Sequence, residues 1–364
     1  MAKARVAMVE AERVLRDRLF PIVPLLEDES VNEVMVNSGE DIFVETRGEI
    51  MRVDAVLSDA AIEAAIRAII SLNEKNMGYI MDARLPGLRV AAALPPVAIH
   101  GPMLVIRKHA KRRFRLEEYV ESGAFDIMTE APDGADAPDD KHRMEEGASK
   151  GGQGLADFMR WAIRAHKNIL LVGGTSSGKT TLLSSCLLEI PNTERVITCE
   201  DTNEIVLEQI NIVQLEAMPT ANITIRDLIR LCLRARPDRI IVGEIRGPEA
   251  YDFLDAMNTG HSGSLCTLHA DSAFLGLRRL ESLIRMSPTA QNLPLRDMRA
   301  EIASAIDYVI FQSRGGGKRA PEQVLALDGV TDQGDYQSRL IFNRMPWKSS
   351  HASSLPYPSS TSKE

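Results

Sequence analysis

The chain has 364 residues, of which 44% are hydrophobic and 26% are charged, with a formal net charge of −8. These values are typical of a globular protein with more than one domain, and the negative charge does not favour a protein that coats nucleic acid. The four cysteines lack a CxxC pair and no stretch looks long and apolar enough to cross a membrane, so we predict a cytoplasmic protein without zinc or disulfides.

The first part of the chain predicts a small α+β domain over residues 1–125. Apolar residues at helical spacing over 8–19 indicate a first helix. Short apolar runs over 34–53, separated by turn residues, indicate antiparallel strands. An amphipathic pattern over 62–70 indicates another helix, and residues 84–108 return to strands. Strands with interspersed helices are typical of an α+β domain.

A basic run extends from Arg107 to Arg115 and contains one aromatic residue, Phe114. Such a run is usually a solvated surface, and one aromatic side chain is too few to stack several bases. Direct nucleic-acid binding is therefore not expected. Residues 126–152 are rich in Asp, Glu, Ala, Pro and Gly, which predicts an acidic flexible linker.

The segment Gly173–Thr180 follows the apolar run 168–172 and precedes a helical pattern. A strand, a glycine-rich turn and a helix form a phosphate loop, in which backbone N–H groups and the helix N-terminus bind phosphate. Lys179 is then expected to reach the β- and γ-phosphates of ATP, and the Thr180 hydroxyl to ligate Mg²⁺. The residues predicted to bind ATP here are Gly173, Gly174, Thr175, Ser176, Ser177, Gly178, Lys179, Thr180 and Thr181.

The second domain is predicted over residues 153–343, where short apolar runs alternate with helical patterns. The runs are 195–198, 212–213, 240–242 and 264–268, and the helical patterns are 225–236 and 248–258. This alternation predicts a mostly parallel, doubly wound α/β sheet. A small hairpin is expected over 323–342, and the Ser- and Pro-rich residues 344–364 predict a disordered tail.

Hydrolysis requires more than phosphate binding, so a carboxylate should end another buried strand. Glu244 ends the apolar run that begins at Arg239, and we predict that it orients water onto the γ-phosphate. Gly243 stands where many nucleotide hydrolases carry an Asp that holds Mg²⁺. We predict Glu200 as a further catalytic carboxylate and Asp201 as a ligand of Mg²⁺ through water. Capping or a surface turn is the alternative for both.

Two histidines, His261 and His269, lie eight positions apart among small residues. If the residues between them are extended, the even separation places both side chains on one side. His269 then ends a strand, where nucleotide sites lie in α/β sheets. We predict that His269 contacts the γ-phosphate, and a purely structural role stays open for His261.

Four sequence blocks, in their order along the chain, resemble those of the secretion or traffic ATPases of bacterial type IV secretion and conjugal DNA transfer. That family shares its core with type II secretion and type IV pilus motors. Gly173–Thr180 resembles its Walker A motif, Glu200–Glu204 its Asp box, Ile240–Arg246 its Walker B motif and Thr259–Ala270 its His box. Val34–Asn37, Leu94–Pro96 and Ile106–Lys108 extend the resemblance into the first domain.

The resemblance implies a RecA-like P-loop ATPase domain behind the smaller α+β domain, with ATP and Mg²⁺ as ligands. It also implies a homohexameric ring at the cytoplasmic face of the inner membrane, beside membrane-embedded secretion or conjugation proteins. Arg107, with Arg84 and Arg89, would meet phosphate across the cleft between the domains, and Arg234 and Arg236 would contact the neighbouring subunit. The acidic insert and the C-terminal tail match no part of the family pattern.

The predicted function is ATP hydrolysis that powers conjugal transfer or type IV secretion. The absence of a CxxC pair disfavours the type II secretion motors that carry a tetracysteine zinc module. The alternatives are a type IV pilus assembly or retraction motor, a ring-shaped DNA-translocating ATPase, and a nucleotide-dependent scaffold without turnover.

Overall fold

The computed structural model of the chain describes residues 2–46, 49–72, 78–108, 138–315 and 318–344. The helices in these ranges are Ala2–Arg18 (α1), Val23–Glu27 (α2), Asp59–Leu72 (α3), Pro138–Ser149 (α4), Gly152–Arg164 (α5), Lys179–Leu187 (α6), Ile225–Cys232 (α7), Glu249–Asn258 (α8), Ala273–Ile284 (α9) and Leu295–Ala305 (α10). The strands are Val31–Val36 (β1), Ile42–Thr46 (β2), Glu49–Arg52 (β3), Ile80–Leu85 (β4), Leu88–Ala93 (β5), Met103–Lys108 (β6), Ile169–Gly173 (β7), Val196–Glu200 (β8), Ile212–Glu216 (β9), Arg239–Val242 (β10), Leu265–Leu268 (β11), Tyr308–Gly315 (β12), Lys318–Val330 (β13) and Tyr336–Asn343 (β14).

The first domain is an antiparallel sheet in the order β3-β2-β1-β6-β5-β4. Buried Leu15 on α1 and Ile62 and Ile66 on α3 share a core with one face of this sheet. The other face presents Met35 and Val105 to the second domain. The predicted α+β character of this domain is confirmed.

The second domain is built on an eight-stranded sheet in the order β14-β13-β12-β7-β11-β10-β8-β9. The six strands β12, β7, β11, β10, β8 and β9 are parallel. At one end of the sheet, β13 pairs antiparallel with β12, and β14 pairs antiparallel with β13. Alternate residues of β7 face opposite ways: Leu171 packs with α5 and α6, and Leu170 packs with α7 to α10. Helices thus cover both faces, and the predicted RecA-like, mostly parallel sheet is confirmed.

Strand β12 was not predicted, although it lies inside the second sheet between β13 and β7. Its Tyr308, Val309 and Ile310 are buried and pair in parallel with β7. The expected terminal hairpin forms β13 and β14 and extends the same sheet through β12. Because β12 is buried on both faces, it lacks the alternation of polar and apolar residues that marks a half-buried strand.

The prediction of a flexible linker over 126–152 is wrong for the C-terminal part of that segment, because residues 138–149 form α4. Residues 126–137 lie outside the described ranges, as do 345–364 of the predicted tail. The acidic Glu145 of α4 is buried because its carboxylate accepts hydrogen bonds from the Tyr308 hydroxyl (3.0 Å) and from Arg339 Nη1 (2.7 Å). An acidic segment can therefore pack, since its buried charge is paired.

Replacing Glu145 with Ala should lower the free energy of unfolding by about 1–3 kcal/mol, because the buried Tyr308 hydroxyl would lose its acceptor. Urea unfolding followed by circular dichroism measures this change. Glu146→Ala is the matched control, because the Glu146 side chain is 72% exposed and pairs with the exposed Lys150. Equal stability of the two variants would contradict the docking of α4.

The two domains meet along the β9 edge of the second sheet. Ala98 forms an antiparallel bridge with Leu215, the Ile99 N–H donates to the Gln214 carbonyl (3.1 Å), and the Glu216 N–H donates to the Val97 carbonyl (2.8 Å). At the other end of β9, Arg195 Nη1 donates to Asn37 Oδ1 (2.6 Å) and to Asn211 Oδ1 (2.7 Å). Residues 97–99 of the first domain thus extend the second sheet beyond β9.

None of the helices in the described ranges combines the length and the apolar character that crossing a bilayer requires.

Candidate nucleotide-binding and hydrolysis site

The loop between β7 and α6 has the geometry of a phosphate loop. Gly178 and Ser176 have positive φ angles of 91° and 59°, and a side chain at Gly173 would place its Cβ 2.3 Å from the Gln312 carbonyl oxygen. Helix α6 begins at Lys179, directly after the loop. The Ser177 hydroxyl is buried without a hydrogen-bond partner among the described residues, so the loop holds a polar group that a ligand can satisfy.

Lys179 is folded back onto this loop. Its Nζ donates to the carbonyls of Gly173 (2.9 Å) and Gly174 (3.0 Å) and lies 3.4 Å from His269 Nδ1. Burial lowers the pKa of Lys179, and Glu244 opposes this effect. A buried ammonium with a lowered pKa lacks a sufficient anionic partner, and phosphate would supply one. The loop and its lysine therefore fit the triphosphate of ATP.

Glu244 follows β10, and its side chain is 18% exposed. One carboxylate oxygen lies 2.6 Å from Arg246 Nη2, and the other lies 2.9 Å from His269 Nε2. Lys179, His269 and Glu244 follow the neighbouring parallel strands β7, β11 and β10, so their side chains meet where these strands end. The structure thus brings together three of the four side chains that the sequence predicts to be catalytic.

The fourth side chain, that of Glu200, is 2% exposed and binds the backbone of the loop that follows it. Its Oε2 accepts hydrogen bonds from the backbone N–H groups of Glu204 (2.9 Å) and Ile205 (3.0 Å). A Cβ on Gly243 would lie 3.0 Å from Glu200 Cγ, so the glycine leaves room for this side chain. This geometry favours a loop-anchoring role for Glu200 over the predicted catalytic one.

The oxygen ligands predicted for Mg²⁺ lie on two elements. Thr180 is the second residue of α6, and Asp201 directly follows β8 with a side chain that is 46% exposed. Burial raises the pKa of Asp201, and Arg246, whose Nη1 is 3.3 Å from Asp201 Oδ2, lowers it. Hydroxyl and carboxylate oxygens suit Mg²⁺, so the residues present fit the ion, and the assignment stays a prediction.

The two histidines do not share one side, as the even spacing suggested. Strand β11 covers only Leu265–Leu268, and His261 lies before it, with Nδ1 3.2 Å from the Ala256 carbonyl oxygen. His269 follows the strand and therefore sits at its opposite end. The turn before β11, with positive φ at Gly260 and Gly263, breaks the extended run that the prediction required.

Arg107 does not lie near the phosphate loop of its own chain. It pairs across strands with Arg89 and with Glu33, and Glu33 forms an ion pair with Arg236 (3.2 Å). Arg236 precedes β10, whereas the phosphate loop follows β7, and the two strands run in parallel. Arg107 therefore lies at the opposite end of these strands from the phosphate loop. The prediction differed because the sequence could not show how the two domains dock.

The arginines predicted to contact a neighbouring subunit are paired within the chain. Arg234 Nε lies 2.6 Å from Asp82, and Arg236 binds Glu33 of the first domain. The aligned row of Arg84, Arg89 and Arg107 on β4, β5 and β6 lies beside these pairs.

Sequence reasoning did not include Arg246 among the site residues. The signal was its position two residues after Glu244, which places both side chains at the end of β10. Its guanidinium bridges Glu244 and Asp201.

Comparison with known proteins agrees with these features. The family model described as "Type II/IV secretion system protein" matches residues 148–314. The conjugal transfer protein TrbB of Rhizobium radiobacter is 33% identical over 312 residues, which cover 84% of this chain and 86% of that protein. The type IV secretion system protein PtlH homolog of Bordetella bronchiseptica is 37% identical over 258 residues, covering 68% and 74% of the two chains.

The crystal structure of the VirB11 ATPase from the Brucella suis type IV secretion system, in complex with sulphate, superimposes with a TM-score of 0.78. The identity is 30%, and the alignment covers 87% of this chain and 96% of that chain. The relatives thus span both domains rather than the phosphate-loop domain alone. The chain belongs to the type II/IV secretion system protein family, among the secretion ATPases of type IV secretion and conjugal transfer.

Proposed function

We propose that this chain hydrolyses ATP to ADP and phosphate with Mg²⁺ and, as a homohexameric ring, powers conjugal transfer or type IV secretion. The contact of Lys179, His269 and Glu244 beside the phosphate loop carries the proposal. A cytoplasmic location against membrane-embedded components of the apparatus follows from the same family relationship.

Each side chain has a role that its position supports. Lys179 turns from the loop carbonyls to the β- and γ-phosphates, and His269 follows it to the γ-phosphate. Glu244 holds the attacking water in line and takes its proton. Thr180, and Asp201 through water, hold Mg²⁺, which when bound neutralises part of the phosphate charge.

We propose that Arg107 acts in the site of a neighbouring copy, because the phosphate loop of its own chain lies at the opposite end of the parallel strands. Arg107→Ala and Lys179→Ala should each be inactive as pure rings. Mixed in equal amounts, they should regain activity at about one quarter of the sites, where an intact loop meets an intact neighbouring Arg107.

Mixed-ring ATPase assays test this prediction. The matched control mixes Lys179→Ala with Glu244→Gln, two defects of one chain's own site, and should recover nothing. Absence of recovery in the Arg107 mixture would place Arg107 outside the neighbouring site.

The cellular function is tested by deleting the gene in the native donor and scoring plasmid transfer and surface pili separately. Loss of transfer with complementation by the wild-type chain supports the proposal. A defect in pilus retraction alone would favour a pilus motor, and stimulation of the ATPase by single-stranded DNA would favour a DNA translocase. Absence of phosphate release from assembled rings with Mg²⁺ and ATP would leave a nucleotide-dependent scaffold.

A further inference from the structure

Among the described residues, Arg246 is the one permanently charged group in contact with the Glu244 carboxylate, beside which His269 also lies. Its Nη2 lies 2.6 Å from Glu244 Oε2, and its Nη1 lies 3.3 Å from Asp201 Oδ2. An adjacent cation offsets the negative charge with which a carboxylate polarises water. With Arg246 in this position, the charge of Glu244 is partly offset and the carboxylate is poorly prepared to accept a proton from water.

The backbone at this point is fixed, but the arginine side chain is not. The Glu249 carboxylate accepts hydrogen bonds from the backbone N–H groups of Arg246 (2.7 Å) and Gly247 (2.6 Å). A Cβ on Gly247 would lie 2.9 Å from Glu249 Oε2, so the turn closes tightly around this carboxylate. In contrast, the Arg246 side chain is 64% exposed, which leaves its guanidinium free to change partners while its Cα stays in place.

The guanidinium already contacts a second carboxylate, that of Asp201, next to an open cavity. A cavity of about 300 Å³ opens beside Arg246 and is lined by Asp201, Glu249, Thr224 and Ile223. Two of these residues are carboxylates, so the guanidinium meets negative charge on either side. A guanidinium that bridges two carboxylates beside open space can release one of them and keep the other.

We propose that Arg246 is a positioning residue that restrains Glu244 until nucleotide is bound, and this inference rests on the proposed ATPase function. Nucleotide draws Lys179 and His269 to the phosphates, and Arg246 is then the last group paired with Glu244. When Arg246 releases Glu244 and keeps its contact with Asp201, the Glu244 carboxylate is free for the attacking water. The slow step in the isolated chain is this exchange of partners.

The first test measures phosphate release at saturating Mg²⁺ and ATP, and ATP affinity on the same samples. Arg246→Ala should raise kcat by about three- to tenfold, part of the ~10²-fold or more that a general base supplies, with ATP affinity little changed. Arg246→Lys keeps the positive charge and should stay closer to the wild-type rate. Arg67→Ala, which removes an exposed arginine paired with Glu63 on α3, is the matched control and should have no effect.

The second test is a double-mutant cycle with Asp201. Asp201→Asn removes the alternative acceptor and should lower kcat, because Arg246 then remains on Glu244. In the Arg246→Ala background the same substitution should lose the part of that effect that Asp201 exerts through Arg246 rather than through Mg²⁺. An effect of equal size in both backgrounds, measured at saturating Mg²⁺, would show that Asp201 does not act through Arg246.

The outcomes separate this inference from the proposed function. Arg246→Ala that lowers kcat and weakens ATP binding would make Arg246 a phosphate contact, and an unchanged kcat would also overturn the restraint. In either case, a wild-type chain that releases phosphate and a Glu244→Gln variant that does not would leave the ATPase function standing. A wild-type ring without phosphate release would instead remove the proposed function itself.

Discussion

Glu244→Gln is expected to keep ATP binding and to lower turnover by about 10²-fold or more. The amide keeps the size of the side chain and can still hydrogen-bond, but it lacks the charge that polarises water and accepts its proton. Bound ATP and released phosphate should be measured on the same preparation. Rings of this variant should accumulate in the ATP-bound form.

This experiment must separate a catalytic role from a structural one, because Glu244 Oε2 lies 2.6 Å from Arg246 Nη2. If that ion pair were its whole role, the amide would cost only a modest factor through stability. Glu208→Gln, a charge removal on the loop after β8, controls for a general electrostatic effect. Unchanged phosphate release with intact binding would remove Glu244 from catalysis.

Mixed rings of Glu244→Gln and wild-type chains add a test of coupling between subunits. If the subunits act in a coupled sequence, a ring should lose more activity than its mutant fraction. Loss in proportion to that fraction would indicate independent sites.

Lys179→Ala should lose ATP affinity by about 10- to 100-fold, since one charge-assisted contact to phosphate is removed. Turnover should be lost with it. Thermal unfolding with and without ATP and Mg²⁺ gives both the affinity and the stability. The variant should lose most of the thermal shift that the wild-type chain shows with nucleotide.

Without nucleotide, Lys179→Ala should differ little in stability from the wild type, because the lost hydrogen bonds to the Gly173 and Gly174 carbonyls oppose the gain from removing a buried charge. Burial lowers the pKa of Lys179, so its charged form is disfavoured by folding and its removal relieves that cost. Lys150→Ala, at a side chain that is 70% exposed, is the matched control. Full ATP affinity in Lys179→Ala would contradict the placement of the phosphate loop.

Much of the site could be predicted because its signals are local. The phosphate loop, Glu244 and His269 each follow a short apolar run, and parallel strands bring the ends of such runs together. The sequence could not show that Glu200 would turn inward to its own backbone, because that depends on the space left by Gly243 on a neighbouring strand.

The remaining differences depend on contacts between distant segments. Helix α4 packs because Arg339, 194 residues after Glu145 along the chain, pairs with that buried carboxylate. The position of Arg107 depends on how the first domain docks against β9, which no local pattern encodes. The interior strand β12 is continuously apolar at its start, and its place in the sheet follows from its partner β7.

The pairing of residues 97–99 with β9 has a consequence for self-association. An open strand edge with apolar neighbours is a template on which another chain can add a strand. With buried Val213 and Leu215 on β9, a second domain produced by itself would expose such an edge and be prone to aggregate. The first domain therefore shields this edge of the second domain from pairing with another chain.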